Sequence, residues 1–281
     1  MRTARLVAGY AAILGTLPYL TLKVVWLTGG TLGLTDPGLV RTTGMAVANG
    51  FTGGMDLVAI AIALTVAHRW GERVTAWLVL FPLWVGTGFL APIALSGPVI
   101  GVDLAVTDHG SSGLEPWVTP LVYGCFIWQG LTLLTAFVLY ARMRWAPLFT
   151  ARTSPGLSLT AGIGVAIATM AAAVHVIWTF APIRDGASVA TRFLDGVDGV
   201  LALAAAVGML LLAREHGRFR WPMVLVWAGS ATLFAWGFWS VFTTVGMTSG
   251  ETLFETVMGY AQALAGVLLG LGLLAKARAV R

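Results

Sequence analysis

The chain has 281 residues, of which 58% are hydrophobic and only 10% are charged, and its mean hydropathy is +0.86. This composition excludes a water-soluble globular domain of the same length. The net charge of +5 does not indicate a nucleic-acid-binding protein, because the basic residues form short clusters between apolar segments. We therefore predict an all-α polytopic membrane protein with one transmembrane domain over residues 1–281, whose first partner is the lipid bilayer.

Apolar segments of the length needed to cross a bilayer, about 20 residues, recur from end to end. The segment after MRTAR runs on without a small-residue cleavage site, so we interpret it as a retained first span rather than a signal peptide. The eight predicted spans are about 5–28, 46–67, 74–96, 116–141, 157–181, 195–213, 221–246 and 253–275.

Basic residues favour one side of this arrangement. Thirteen of the seventeen lie at the two termini and in every second loop: Arg2, Arg5, Arg69, Arg73, Arg142, Arg144, Arg152, Arg214, Arg218, Arg220, Lys276, Arg278 and Arg281. The opposite loops hold Arg41, Arg184 and Arg192 with the acidic residues Asp36, Asp103, Asp108, Glu115, Asp185 and Glu251. The positive-inside rule then predicts a multi-pass protein of the cell membrane with both termini in the cytoplasm.

The two halves of the chain resemble each other. LVAGYAAILGTLPYLTLKVVWLTGG aligns almost without a gap with LTAGIGVAIATMAAAVHVIWTFAPI, which pairs Lys23 with His175 and Trp26 with Trp178. We predict a parallel duplication of a four-helix unit, with repeat 1 at about 1–145 and repeat 2 at about 155–281. The composition of apolar helices can also produce similarity at this level.

Ionisable residues inside spans are candidates for function, because they are costly in lipid and usually face the bundle interior. Here they all fall in the outer half of the spans. Asp56, Asp198 and Glu255 are the predicted catalytic acids. Lys23 and His175 are predicted to bind substrate and to face Asp56 and Asp198 in one outward-facing pocket.

Each of these residues also has a structural interpretation. Lys23 can snorkel to the nearby interface, and His175 can be a hydrogen-bonded interior residue. Asp195 and Asp198 can cap span 6 at its N-terminus, and Arg192 can pair with Asp195. Asp56 is the hardest to explain structurally, because no chain end lies nearby.

Aromatic and glycine residues are abundant in the spans. The run FAWGFWSVF is dense enough to line a cavity wall, and Trp26, Trp178, Trp236 and Trp239 are predicted to contact substrate. Lipid contact and ordinary helix packing are the alternatives. The glycine pairs Gly50/Gly54 and Gly266/Gly270 have the GxxxG spacing that favours close helix contact.

Motifs for several other functions are absent. The chain has no P-loop, HExxH, GxSxG or aspartate-rich diphosphate motif and only one cysteine, so we expect no metal site and no cofactor. Of the four histidines, only His175 lies well inside a span, which argues against bis-histidine haem.

Three functions remain open. The first, slightly favoured, is an integral-membrane enzyme that acts on a hydrophobic, isoprenoid-like small molecule, because carboxylates in a dry pocket can act as acids beside aromatic walls. The second is a small proton-coupled transporter or channel that uses Lys23, Asp56 and His175. The third is a non-catalytic membrane protein. The sequence does not indicate the oligomeric state.

The opening LPYLTLKVVWLTGGTLGLTDP resembles that of small multi-span actinobacterial membrane proteins. Size, carboxylate placement and aromatic content are also similar to those of integral-membrane terpene cyclases. That resemblance implies metal-independent cyclisation started by an in-membrane carboxylic acid. It includes no specific motif, and those enzymes often have seven spans rather than eight.

Overall fold

A computed structural model describes residues 2–106, 113–181, 187–214, 217–247 and 252–279 of the chain. These residues form eight long helices: α1 (Arg2–Leu27), α2 (Thr43–Ala67), α3 (Ala76–Val106), α4 (Val118–Arg144), α5 (Leu159–Phe180), α6 (Val189–Leu212), α7 (Arg220–Met247) and α8 (Leu253–Ala279). Several residues of the sequence analysis lie outside the described segments: Asp108, His109, Arg184, Asp185, His216, Glu251 and Arg281.

The all-α, eight-span prediction is confirmed for the part of the chain that the structure describes. Each of the eight helices is long and apolar enough to cross a membrane, and the described residues include isolated β-bridges but no strand. Large apolar side chains such as Leu14, Leu57 and Leu131 are exposed along the helices, as lipid contact requires.

Two helix boundaries differ from the predicted ones. Helix α3 continues to Val106, past the predicted end at residue 96. Helix α6 begins at Val189, not at residue 195, because the Ser188 side chain accepts a hydrogen bond from Thr191 N and caps the helix there. Hydropathy missed this first turn, which includes the polar residues Thr191 and Arg192.

The chain divides into two compact units. Unit 1 comprises Met1–Leu83 and Ile93–Tyr140, and unit 2 comprises Trp84–Pro92 and Ala141–Arg281. Unit 1 therefore contains α1, α2, both ends of α3 and most of α4, whereas unit 2 contains the middle of α3 and α5 to α8.

The connections at the outer end of unit 1 are joined to each other. Leu34 and Leu114 form an isolated antiparallel bridge, and Glu115 N donates to Gly33 O at 2.9 Å. Gly33 and Gly113 have φ angles of +76° and +74°, a backbone conformation that glycine adopts without a steric penalty. The glycines thus let two short connections pair above the helix ends.

Arg5 lies inside unit 1 instead of facing the cytoplasmic solvent. Its side chain is 0% exposed and donates from Nη1 to Glu72 Oε1 at 2.9 Å and from Nε to Ala67 O at 3.3 Å. The guanidinium carbon also lies 5.8 Å from the centre of the Tyr140 ring. A residue predicted only as a topology signal therefore joins α1 to the end of α2.

Unit 2 packs through alanine and glycine. The buried face of α5 includes Ala168 and Ala171, that of α6 includes Ala202 and Ala205, and Ala265 of α8 belongs to the same core cluster. Small side chains let the helix backbones approach closely, and this close contact drives association where lipid removes the hydrophobic effect between helices.

The two glycine pairs have different outcomes. A Cβ atom on Gly266 would lie 2.5 Å from Phe234 N and 2.6 Å from Ser230 O, so α7 and α8 are in close contact there, as predicted. A Cβ atom on Gly50 or Gly54 would meet no other atom within 4 Å. The packing prediction for Gly50 and Gly54 is therefore wrong in the described structure, because that face of α2 has no described neighbour.

We expect Gly266→Ala to lower the free energy of unfolding by about 1–3 kcal/mol, since an added methyl group must push α7 away from α8. Gly54→Ala is the matched control. It adds the same methyl group to an open helix face and is expected to be neutral or slightly stabilising. Thermal unfolding of the purified variants in detergent measures both, and equal melting temperatures would contradict the packing described here.

Candidate functional site

Unit 1 contains a buried ion pair between α1 and α2. Lys23 Nζ donates to Asp56 Oδ2 at 2.6 Å, and the residues are only 1% and 7% exposed. Lys23 therefore does not snorkel to the interface. A charge inside a span is costly, and an opposite charge at hydrogen-bonding distance offsets most of that cost. The predicted pairing of Lys23 with Asp56 matches the described geometry.

Neighbouring residues shape the space for the lysine. The ammonium nitrogen lies 3.9 Å from the centre of the Tyr19 ring, one turn earlier on α1, which adds a cation–π contact. Gly53, one turn before Asp56 on α2, leaves room for the aliphatic stem, because a Cβ there would lie 3.9 Å from Lys23 Cδ. The pair is thus held by α1 and α2 alone.

Unit 2 contains a second buried polar cluster, centred on His175 of α5. The imidazole is 7% exposed, its Nδ1 lies 3.2 Å from Asp195 Oδ1 on α6, and its Nε2 lies 2.9 Å from Gln262 Nε2 on α8. Gly199 lets α6 approach, since a Cβ there would lie 3.2 Å from His175 Cβ. Three helices therefore hold both ring nitrogens.

The acidic partner of His175 differs from the predicted one. We expected Asp198 to face the histidine and Asp195 to cap the helix or pair with Arg192. In the structure Asp195 contacts His175, and it lies six residues inside α6, so it is not a cap. Arg192 donates to Thr179 O at 3.0 Å and to Phe180 O at 3.1 Å, where it caps the end of α5.

Asp198 lies on the same helix, one turn further along, within electrostatic range of His175 and Asp195. Its Oδ1 atom is buried and has no hydrogen-bond partner among the described residues. A buried carboxylate oxygen without a partner is rare in folded proteins and needs an explanation.

Glu255 forms a capping box at the start of α8. Its Oε2 accepts hydrogen bonds from Thr252 N at 2.9 Å and Thr252 Oγ1 at 3.0 Å, and Glu255 N donates to Thr252 Oγ1 at 3.3 Å. This arrangement satisfies orphan backbone groups at the helix N-terminus. The geometry supplies a structural role for Glu255, which we predicted as an acid one turn inside the span.

The predicted aromatic contacts fall in different surroundings. Trp26 is buried and donates from Nε1 to Leu32 O at 2.8 Å, whereas Trp178 lies edge-on to His175 with ring centres 5.1 Å apart. Trp236 and Trp239 both contact Phe89 edge-on, at 5.8 and 6.3 Å between ring centres. Along α7, Phe234, Phe238 and Phe242 stack at 6.1 Å intervals in a continuous ladder.

An open groove of about 390 Å³ lies in unit 1 between α1 and α4. It is lined by Leu14, Gly15, Pro18, Pro120, Leu121, Gly124, Cys125 and Trp128. The lining is mostly apolar, and it includes none of the residues that we predicted to bind or transform a substrate.

Two glutamines escaped the sequence analysis. Gln262 contacts His175, and Gln129 of α4 donates from Nε2 to Thr16 Oγ1 of α1 at 2.7 Å. The analysis searched the spans for ionisable residues only. A buried amide also needs partners in lipid, so each glutamine in an apolar run was a usable signal.

Among the described residues, no three His, Cys, Asp or Glu side chains are grouped so that they could hold a metal ion. No protein-family model, curated protein or solved structure matches this chain.

We expect Lys23→Met and Asp56→Leu each to lower the free energy of unfolding by about 3–5 kcal/mol, because each leaves one buried charge without its partner. The double variant removes both charges and should lose far less than the sum of the two single losses. Unfolding titrations in mixed micelles complete this double-mutant cycle. Additive losses would show that the two side chains do not interact.

Proposed function

We propose that this chain is a proton-translocating membrane protein, a small proton-coupled transporter or channel, in which His175 binds and releases the proton. The observation that carries the proposal is the position of the imidazole between an acid and an amide, inside a span, with contacts at both ring nitrogens. Histidine is the side chain whose ordinary pKa allows proton exchange near neutral pH.

The surroundings of His175 suit both of its protonation states. In the neutral ring, Nδ1–H donates to Asp195 Oδ1 and Nε2 accepts from the Gln262 amide N–H. In the charged ring, both nitrogens donate, and a rotation of the Gln262 amide presents its oxygen to Nε2. A proton can therefore arrive and leave without a buried group losing its partner, which keeps the cost of the exchange small.

The geometry at Asp56 supports transport over catalysis. As long as Asp56 and Lys23 form an ion pair, Asp56 has no proton to donate to a substrate. Glu255 is engaged in the capping box. Two of the three acids proposed for an enzyme thus have other roles.

An isoprenoid-converting enzyme of the terpene-cyclase kind is the second candidate, and one observation favours it. Asp198 has a carboxylate oxygen without a partner among the described residues, and the next helix, α7, presents an aromatic ladder. An acid beside aromatic faces is the arrangement that could protonate an alkene and stabilise the resulting cation.

Duplication of a four-helix unit is part of the same proposal. With Lys23 set on His175, an offset of 152 residues places Gly9, Ala12 and Thr16 on Ala161, Gly164 and Ala168, and all eight residues are buried. In each half the second helix supplies the carboxylate for this position. The carboxylates themselves are not at equivalent distances along the chain, since Asp56 follows Lys23 by 33 residues and Asp195 follows His175 by 20.

Potential-driven proton entry into pyranine-loaded vesicles tests the transport proposal. We expect vesicles with the wild-type protein to acidify at least about threefold faster than protein-free vesicles. His175→Asn should abolish the excess, because asparagine can hydrogen-bond but cannot carry a proton near neutral pH.

His68→Asn is the matched control, because His68 lies at the end of α2 and contacts Tyr10 OH at 3.1 Å, away from the cluster. Its variant should retain the wild-type rate. Wild-type vesicles that acidify no faster than empty ones, or a His175→Asn variant that retains the wild-type rate, would refute proton translocation through this cluster.

Both termini are proposed to lie in the cytoplasm, with the His175 cluster in the outer half of the membrane. C-terminal fusions should then give a fluorescent green fluorescent protein and an inactive alkaline phosphatase, since the phosphatase folds only outside the cytoplasm. A fusion after Asp36 in the first outer loop should show the reverse pattern. The opposite result at either position would invert the orientation.

A further inference from the structure

Two buried polar atoms of unit 2 have no hydrogen-bond partner among the described residues and belong to neighbouring helices. They are Asp198 Oδ1 of α6 and Trp236 Nε1 of α7. One is an acceptor, and the other is a donor only. An unpartnered buried polar atom costs about 1–3 kcal/mol, so two of them close together indicate a site that a ligand completes.

The helix register brings the two residues to one place. α6 and α7 are antiparallel and cross closely at Gly229, where a Cβ would lie 2.0 Å from Leu201 O and 2.8 Å from Ala205 Cβ. Asp198 precedes Ala205 by seven residues, and Trp236 follows Gly229 by seven. Seven residues are close to two full helical turns, so both residues lie on the facing surfaces, about 10 Å along from the crossing.

Side-chain direction brings them closer still. Helical side chains lean toward the N-terminus of their own helix. Because the helices are antiparallel, the Asp198 and Trp236 side chains lean toward each other. The Trp236 ring is fixed on its other side by its edge contact with Phe89.

We infer that Asp198 and Trp236 form a binding site for the hydroxyl group of an apolar alcohol. A hydroxyl donates to the carboxylate and accepts from the indole N–H, so one small neutral group satisfies both orphan atoms. A cation would satisfy Asp198 but would leave the Trp236 N–H unpaired. The rings of Phe89 and Trp239 beside the indole provide apolar contacts for the rest of the molecule.

This inference goes beyond proton translocation and does not depend on it, since binding is measured without any proton gradient. The probe is a long-chain alcohol that carries a photoactivatable diazirine, added to the full-length protein in lipid nanodiscs. Mass spectrometry locates the label. We expect it on α6 and α7, and we expect dodecanol to compete with the label while dodecane does not.

Trp236→Phe is the decisive variant, because it removes the N–H and keeps an aromatic ring. The specific label should fall about tenfold, the factor that corresponds to one lost hydrogen bond. Asp198→Leu should have a similar effect, and Asp198→Asn, which retains an acceptor oxygen, should restore most of the label. Trp239→Phe, one turn further along α7, removes another indole N–H and should change the label less than about twofold.

Folding is controlled by the same variant. Since Trp236→Phe deletes a buried donor that has no partner among the described residues, it should unfold at the wild-type temperature or above. Labelling that is unchanged in Trp236→Phe, equal competition by dodecane, or a label on other helices would each overturn the site, including the case in which only water lies between the two residues. Proton entry that persists in a Trp236→Phe variant without the label would separate this site from the His175 cluster.

Discussion

Buried charge needs a partner, and this constraint shapes both units. Removing an ammonium, an imidazolium or a carboxylate from water costs several kcal/mol unless an opposite charge or a strong hydrogen bond replaces the solvent. In unit 1 the partner of Lys23 is Asp56, and the two charges fix α1 against α2. In unit 2 the partner of His175 is Asp195, and Gln262 occupies the other ring nitrogen, so three helices depend on one imidazole.

The two clusters differ in what they can do. Lysine and aspartate at 2.6 Å neutralise each other as a salt bridge, and moving a proton within that pair would have to break it. Histidine has a second ring nitrogen, and Gln262 can serve it as a donor or an acceptor. The equivalent position in each half therefore supports a static role in one case and proton exchange in the other. This difference is why the proton-translocation proposal rests on the second half of the chain.

The sequence predicted the helices well and the site only in part. Long apolar runs are detected reliably because a bilayer imposes a minimum span length, and all eight were found. The pairing of Lys23 with Asp56 was also predicted, since few charges in the spans leave few possible partners. Asp195 and Asp198 are three residues apart, and hydropathy misplaced the start of α6, so the choice between them required the helix register. Gln262 was missed because amides carry no charge.

Packing explains why the register is so specific. The helices of unit 2 contact each other through glycine and alanine, for example at Gly229, where a Cβ would lie 2.0 Å from Leu201 O. Backbones in such close contact allow little sliding. The position of His175 between Asp195 and Gln262 is therefore a consequence of small residues one to several turns away, including Gly199 on the facing helix.

The central claim is that His175, held by Asp195, gains and loses a proton inside the membrane. Solid-state nitrogen NMR of the histidine-labelled protein in lipid bilayers reads the protonation of each ring nitrogen directly. We expect one resonance pair, assigned by its loss in His175→Asn, to change between neutral and charged forms as the pH is varied over the range in which the fold is intact. Asp195→Asn should shift it, and Glu255→Gln should not. A His175 ring that stays in one form throughout, or that does not respond to Asp195→Asn, would contradict this account.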